Sequence, residues 1–146
     1  MIHGDTVRLL RECSSGITMG IDSIGEVMTS VKDDRLRDIL TQSREEHRRL
    51  GLETDQLLDS YGDNEKEPSP MLKGMAKLKN EFMLTMAGSK KDSAVADLIT
   101  DGCNMGVKSL AKYLNEYTAA DEKSKDIARR LISAEENLCR DVRCWL

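Results

Sequence analysis

His47, Glu135, Cys13 and Cys103 are the residues of this chain with side chains suited to chemistry at the centre of a fold. An imidazole, a carboxylate and two thiolates form a donor set that can hold zinc or iron tetrahedrally. A plainer reading of the same residues is structural. Thiols at matched apolar positions are common core filler, and an inward histidine usually meets a hydrogen-bond partner. Glu135 is the natural partner for His47, with Ser43 and Thr54 as others, and a buried polar pair of that kind can fix the register of packed helices. Cys13, Cys103, Cys139 and Cys144 form no CxxC pair and no zinc-ribbon spacing, so they read as free thiols of a reducing compartment.

The elements that must position these residues are helices. In the first, Leu10, Cys13, Ile17, Gly20, Ile24, Val27 and Val31 recur at steps of three and four, the seam of a bundle helix, with Asp5 or Thr6 as cap and an end near Lys32. Asp33-Asp34 start the second, whose seam is Leu36, Leu40, Ser43, His47, Leu50, Thr54, Leu57 and Tyr61, and Gly62 stops it. A third long helix spans roughly 93–117 with Ile99, Cys103, Val107, Leu110, Leu114 and Tyr117 inward. Asp121 caps the fourth, which turns Ile127, Leu131, Glu135, Leu138, Val142 and Trp145 inward. The short links within each pair make antiparallel hairpins, 5–61 and 91–146, of one domain covering 1–146. Between them lie an acidic linker from Gly62 to Pro70 and a shorter helix to Met86. That helix carries a stripe of Met71, Met75, Leu78, Phe82 and Met86 among lysines, a candidate surface for a protein partner or, less simply, an anionic membrane.

The second hairpin repeats the first. Arg11-Glu12-Cys13-Ser14-Ser15-Gly16-Ile17 matches Asp101-Gly102-Cys103-Asn104-Met105-Gly106-Val107 at an offset of 90, and Asp33, Asp38-Ile39 and Leu50 match Asp121, Asp126-Ile127 and Leu138 at an offset of 88. Such a duplication predicts a four-helix bundle with pseudo-twofold symmetry. Gly16, Gly20, Gly102 and Gly106 lie inside helices, where each costs about 1 kcal/mol relative to Ala. A tight crossing of the first and third helices explains them; a ligand cavity is the alternative.

Hairpin, long connection, hairpin is the connectivity of ferritin-like bundles, and the chain resembles that superfamily over nearly its whole length. Runs such as Ala96-Asp97-Leu98-Ile99-Thr100-Asp101-Gly102-Cys103 and Lys73-Gly74-Met75 resemble a small uncharacterised family of Gram-positive bacteria. The superfamily resemblance implies an all-α bundle with a short crossover helix, and it implies a test for di-iron chemistry. That chemistry needs a Glu from each of two helices and Glu-x-x-His from each of the others. Here Arg44 stands three before His47, Ile132 stands three before Glu135, the fourth helix has no histidine, and the level positions on the remaining helices fall near Gly16 and Gly106. The usual di-iron motif is missing.

Composition excludes other classes. A net charge of −4 argues against general nucleic-acid binding. No apolar run approaches the roughly 20 residues of a membrane span, and the start of the chain lacks signal-peptide character, which predicts a cytoplasmic protein. There is no Gly-rich phosphate loop and no GxSxG elbow, and a Cys–His nucleophile lacks an orienting third group. Asp33-Asp34 and Glu135-Glu136 read as caps and solvated faces. The expectation is a non-catalytic binding or scaffold module, a homodimer or bound to a protein partner, with no cofactor. The alternative is a metal-binding redox or storage protein with an atypical site around His47 and Glu135.

Overall fold

The structure, a computed structural model, describes residues 4–63 and 91–146. Four helices account for them: α1 (Gly4–Met28), α2 (Asp34–Ser60), α3 (Asp92–Glu116) and α4 (Glu122–Asp141), with a closing 3-10 turn at Arg143–Trp145. No strand occurs among the described residues, so the all-α class holds. None of these helices is long and apolar enough to cross a membrane. The expected crossover helix with Met71, Met75, Leu78, Phe82 and Met86 lies outside the described residues.

Local chemistry sets the helix ends. Asp33 is extended, and its carboxylate accepts from the backbone N–H of Arg35 at 2.8 Å and of Leu36. Asp121 does the same for Ser124, and the Ser124 hydroxyl donates back to the Asp121 carbonyl. Each satisfies donors that a helix start leaves without partners. α2 closes in a Schellman motif. Gly62 takes φ +73°, Asp63 N–H donates to the Leu58 carbonyl, and Gly62 N–H donates to the Asp59 carbonyl. α1 ends at Met28, before the expected Lys32, because Ser30 and Val31 already fold back on the Val27 and Met28 carbonyls.

Contacts between helix ends fix the topology. The Asp92 carboxylate accepts from the backbone N–H groups of Lys32 and Asp33, so α3 begins beside the α1–α2 turn. The other turn lies at the far end. There the Tyr61 hydroxyl donates to Asp121 Oδ2 at 2.6 Å, and Asp121 N–H donates to Thr6 Oγ1 at 2.8 Å. Trp145, at the end of α4, returns to donate to Asp33. Hence α1 and α4 run one way and α2 and α3 the other, and the chain leaves the first hairpin at one end of the bundle and enters the second at the opposite end. α4 packs on α1 as well as on α2 and α3, whereas α2 and α3 occupy the corners of the long diagonal. Asp5 and Thr6, expected to cap α1, lie inside it and cap the α3–α4 turn instead, Asp5 through the backbone N–H of Ala119.

The two hairpins correspond end for end: Gly4 and Asp92, Met28 and Glu116, and Asp33 and Asp121 are each 88 positions apart. The buried faces match at 88 in α2 and α4, His47 with Glu135 and Leu50 with Leu138, but at 86 in α1 and α3, Leu9 with Val95, Ile17 with Cys103 and Ile24 with Leu110. Neither follows the offset of 90, so Cys13 and Cys103 do not occupy matching positions; buried Cys13 matches buried Ile99. The inward face of α3 also differs from expectation. Gly106 and Tyr113 are buried while Val107 and Leu114 are only partly so, and in α2 Leu58 replaces Leu57. Val107 and Leu114 are the more hydrophobic choices. The competing phase was hidden because glycine carries no apolar signal and tyrosine a mixed one.

The core falls into two apolar halves. One gathers Leu9, Leu10, Cys13, Ile17, Leu50, Leu110, Ile127 and Leu131; the other gathers Ile24, Val27, Leu36, Leu40, Ile99, Cys103, Leu138 and Val142. On every helix the dividing point comes at the level of His47 and Glu135. Asp121 ties a helix start to both α1 and α2, so Asp121→Ala is expected to cost about 1–2 kcal/mol through the cap alone. Tyr61→Phe should cost about 1 kcal/mol, and the double mutant should cost less than the sum. Urea unfolding of the four proteins checks this; full additivity would show that the shared carboxylate does not couple them.

Candidate functional site: a polar waist through the bundle

All four helices contribute to the layer between the two apolar halves. α2 brings Ser43 and His47, α4 brings Glu135, α3 brings Cys103 and Gly106, and α1 brings Gly20. The His47 ring is fully buried, and Glu135 is 9% exposed. Nδ1 stands 2.7 Å from the Ser43 backbone carbonyl, which can only accept, so Nδ1 carries a hydrogen and donates. Nε2 stands 2.7 Å from Glu135 Oε1, with one proton shared between ring and carboxyl. The Ser43 hydroxyl lies 3.5 Å from Nδ1, a weak secondary contact. Thr54, the other partner considered, instead donates to the Leu50 carbonyl of its own helix.

Burial alone pulls the histidine pKa down. The Glu135 hydrogen bond and charge, with the Ser43 carbonyl, overcome that and raise it above its ordinary value. Cys103 adjoins the same carboxylate. Burial first, and then the charge and hydrogen bond of Glu135, push its thiol far up, so it stays protonated. Cys13 is also pushed up, to about 12, by burial and by the charge of Glu12. Neither thiol is a ready nucleophile or a ready metal ligand.

The structure thus joins three of the four sequence candidates and separates the fourth. His47, Glu135 and Cys103 meet at the waist, while Cys13 sits in the apolar half around Leu9 and Leu10. Among the described residues no group of three or more His, Cys, Asp or Glu side chains is disposed to hold a metal ion. Glu135 is buried and Glu136 exposed, so the two are not one solvated pair.

Gly20 has a cause that the sequence did not reveal. A Cβ there would lie 2.8 Å from His47 Cδ2 and 2.9 Å from Nε2, so the missing side chain makes room for the imidazole, and the α1 residue level with His47 is Gly20, not Gly16. Gly106 faces Glu135 but is not required in the same way: a Cβ there would lie 3.6 Å from Glu135 Cδ, an ordinary contact.

Sequence reasoning also missed Glu12, which is not among the seam residues read for the first helix. Glu12 is only 6% exposed. It hydrogen-bonds Tyr113, whose hydroxyl is raised to about 12 by burial and then by the Glu12 charge; Tyr113 in turn stacks on Tyr117 at 5.8 Å. The available signal was the flank of α1: Leu9 and Met19 are buried beside the main seam, and the wider stripe includes position 12. Glu12 lies about 12 Å along α1 from Gly20, at about 1.5 Å per residue, so it belongs to a separate polar spot.

No family model matches the chain. No curated protein matches it. Among solved structures, a DUF305 fragment from Deinococcus radiodurans superposes with a TM-score of 0.73 at 14% sequence identity, over 98% of this chain and 95% of that one. At that identity the likeness is one of fold, an all-helical bundle of the same extent, and it assigns no residue a role.

Two predictions come from the waist. Gly20→Ala and Gly106→Ala make the same chemical change in helix interiors, yet they are expected to differ in sign. Gly106→Ala should stabilise by up to about 1 kcal/mol through helix propensity. Gly20→Ala should destabilise by about 1–3 kcal/mol, because the imidazole it displaces is pinned at both nitrogens. Denaturant midpoints of the two variants decide the matter. The second concerns pH. An unfolded histidine titrates near 6.5 and folded His47 titrates above that. The stability that the pair adds is therefore complete below that value and is lost as pH rises through the folded pKa. The difference in unfolding free energy between wild type and His47→Gln should shrink as pH rises above about 6.5, the ordinary histidine value. A difference that stays constant or widens would contradict the shared proton.

Proposed function

We propose that the chain is a ferritin-like bundle of two hairpins that serves as a cytoplasmic, non-catalytic binding or scaffold module, as a homodimer or with a protein partner, and without a di-iron centre. Four observations support it. Two antiparallel hairpins, with the chain leaving the first at one end of the bundle and entering the second at the other, match the ferritin-like plan, and the likeness to the DUF305 fragment is consistent with an all-helical fold of that size. The observation that carries the functional part is the waist itself. At mid-bundle, the level at which ferritin-like proteins set their inward ligands, this chain has a closed His47–Glu135 hydrogen bond and two glycines. A net charge of −4 speaks against nucleic acid as the partner.

The second reading, a metal-binding redox or storage protein, draws on Cys103 joining His47 and Glu135. It requires Nε2 to exchange a proton-sharing carboxylate for a metal and Cys103 to lose its proton beside that carboxylate. Elemental analysis of protein purified without chelator separates the two. The proposal expects sub-stoichiometric iron, zinc and manganese, unchanged in His47→Ala. One equivalent of metal per chain, lost in His47→Ala, would establish the second reading.

A further inference from the structure

α2 has a second organised face, turned away from His47. At steps of three and four it reads Arg44, Arg48, Leu52, Asp55, Asp59: two cations, a leucine, two carboxylates. Leu52 is 66% exposed, and Leu146 is the other large hydrophobic exposed to this degree among the described residues. Beside Leu52 a groove of about 280 Å³ runs between α1 and α2. Ile17, Thr18 and Ile21 form its α1 side, Gly51 adds no side chain to fill it, and Arg48 and Asp55 stand along its α2 side. The charges are lightly committed. Among the described residues Arg48 pairs with Glu45 of its own helix, an exposed contact of little energy. The buried Arg44 Nε has no hydrogen-bond partner among the described residues.

We infer that this face is the contact of a twofold dimer of the chain, with α2 antiparallel to the partner subunit's α2 and crossing it beside Leu52. The inference rests on the reading of the bundle as a binding module and names its partner, a second copy. A twofold contact must be self-complementary: when residue i meets residue j, j meets i. With the crossing between positions 51 and 52, Arg48 lies level with the partner subunit's Asp55 and Arg44 with the partner subunit's Asp59, each twice over. Leu52 enters the partner subunit's groove beside Gly51, where a missing side chain leaves room. An unrelated partner would not require a stripe whose charges invert about its own midpoint. The same stripe run parallel sets Arg against Arg and Asp against Asp, so the charge order also selects the antiparallel arrangement.

Sedimentation equilibrium of the full chain at low salt tests this, with circular dichroism to confirm that each variant stays helical. Wild type should dimerise at or below about 100 μM and more weakly as salt is raised. Arg48→Asp and Asp55→Arg should each weaken the dimer about tenfold or more, because each puts like charges together twice. The double variant Arg48→Asp/Asp55→Arg should recover most of the wild-type affinity, which a merely structural role for either residue would not produce. Leu52→Glu should give a monomer. A wild type that stays monomeric throughout, a dimer indifferent to Leu52→Glu, or a double variant no tighter than the single ones would each overturn the surface. Metal content measured on the same samples keeps the two readings apart. Stoichiometric metal with the expected dimer pattern would remove the non-metal module and leave the surface; a metal-free monomer would do the reverse.

Discussion

The shared proton between His47 and Glu135 is the constraint around which the bundle is arranged. Taking an imidazole and a carboxylate out of water costs several kcal/mol for each ion unless geometry returns it. Here the geometry is close to ideal, with both ring nitrogens at 2.7 Å from oxygens and no space left for a looser arrangement. Each helix is fitted to that demand. α2 supplies both ring and carbonyl, α4 the carboxylate, α1 withdraws its side chain at Gly20, and α3 sets Cys103 and Gly106 against the carboxylate. The apolar residues on either side then pack as two separate clusters, because a polar layer interrupts them.

That layer also explains how two similar hairpins settle on one packing register. Apolar seams tolerate sliding by a helical turn, since one leucine replaces another at modest cost. A buried histidine and glutamate do not, because a slip leaves both without partners in a low dielectric. The two residues are 88 positions apart, the same spacing as the helix ends of the two hairpins. They are thus the same position in the two arms. Two carboxylates sharing one proton there would keep a net negative charge in a low dielectric, whereas histidine and glutamate share one proton with no net charge.

The helices and their ends were largely legible from residue types. Asp33, Gly62 and Asp121 mark boundaries by local hydrogen bonding or backbone freedom, which acts within a few residues and so leaves a trace in the sequence. The His47–Glu135 pairing was legible because both lie on strong seams. The room that Gly20 provides was not, because a glycine's purpose depends on what faces it from another helix. Cys13 and Cys103 misled for a related reason: a local motif match at one offset outweighed the weaker match that the buried faces obey. Glu12 escaped notice because a narrow seam was read where the buried stripe is wide. In each case the missing information was tertiary, the identity of the neighbour across the bundle.

In the same interior an imidazole, a carboxylate and a thiol lie together, and their protons compete with any cation for the same lone pairs. A divalent ion needs lone pairs from all three at once. Nδ1 donates to a carbonyl, which is a common way to orient a ligating histidine and is no obstacle in itself. The obstacle is at the other nitrogen and at sulfur. Glu135 already accepts from both Nε2 and Cys103, so two protons converge on the carboxylate that would have to turn to the ion. Removing them in a site closed to water would leave a thiolate beside a carboxylate until the ion arrived. Opposing that is a hydrogen-bonded network that is neutral or internally paired as it stands. Any cation entering the waist would have to displace those protons and, with them, the hydrogen bonds that join α2 to α4.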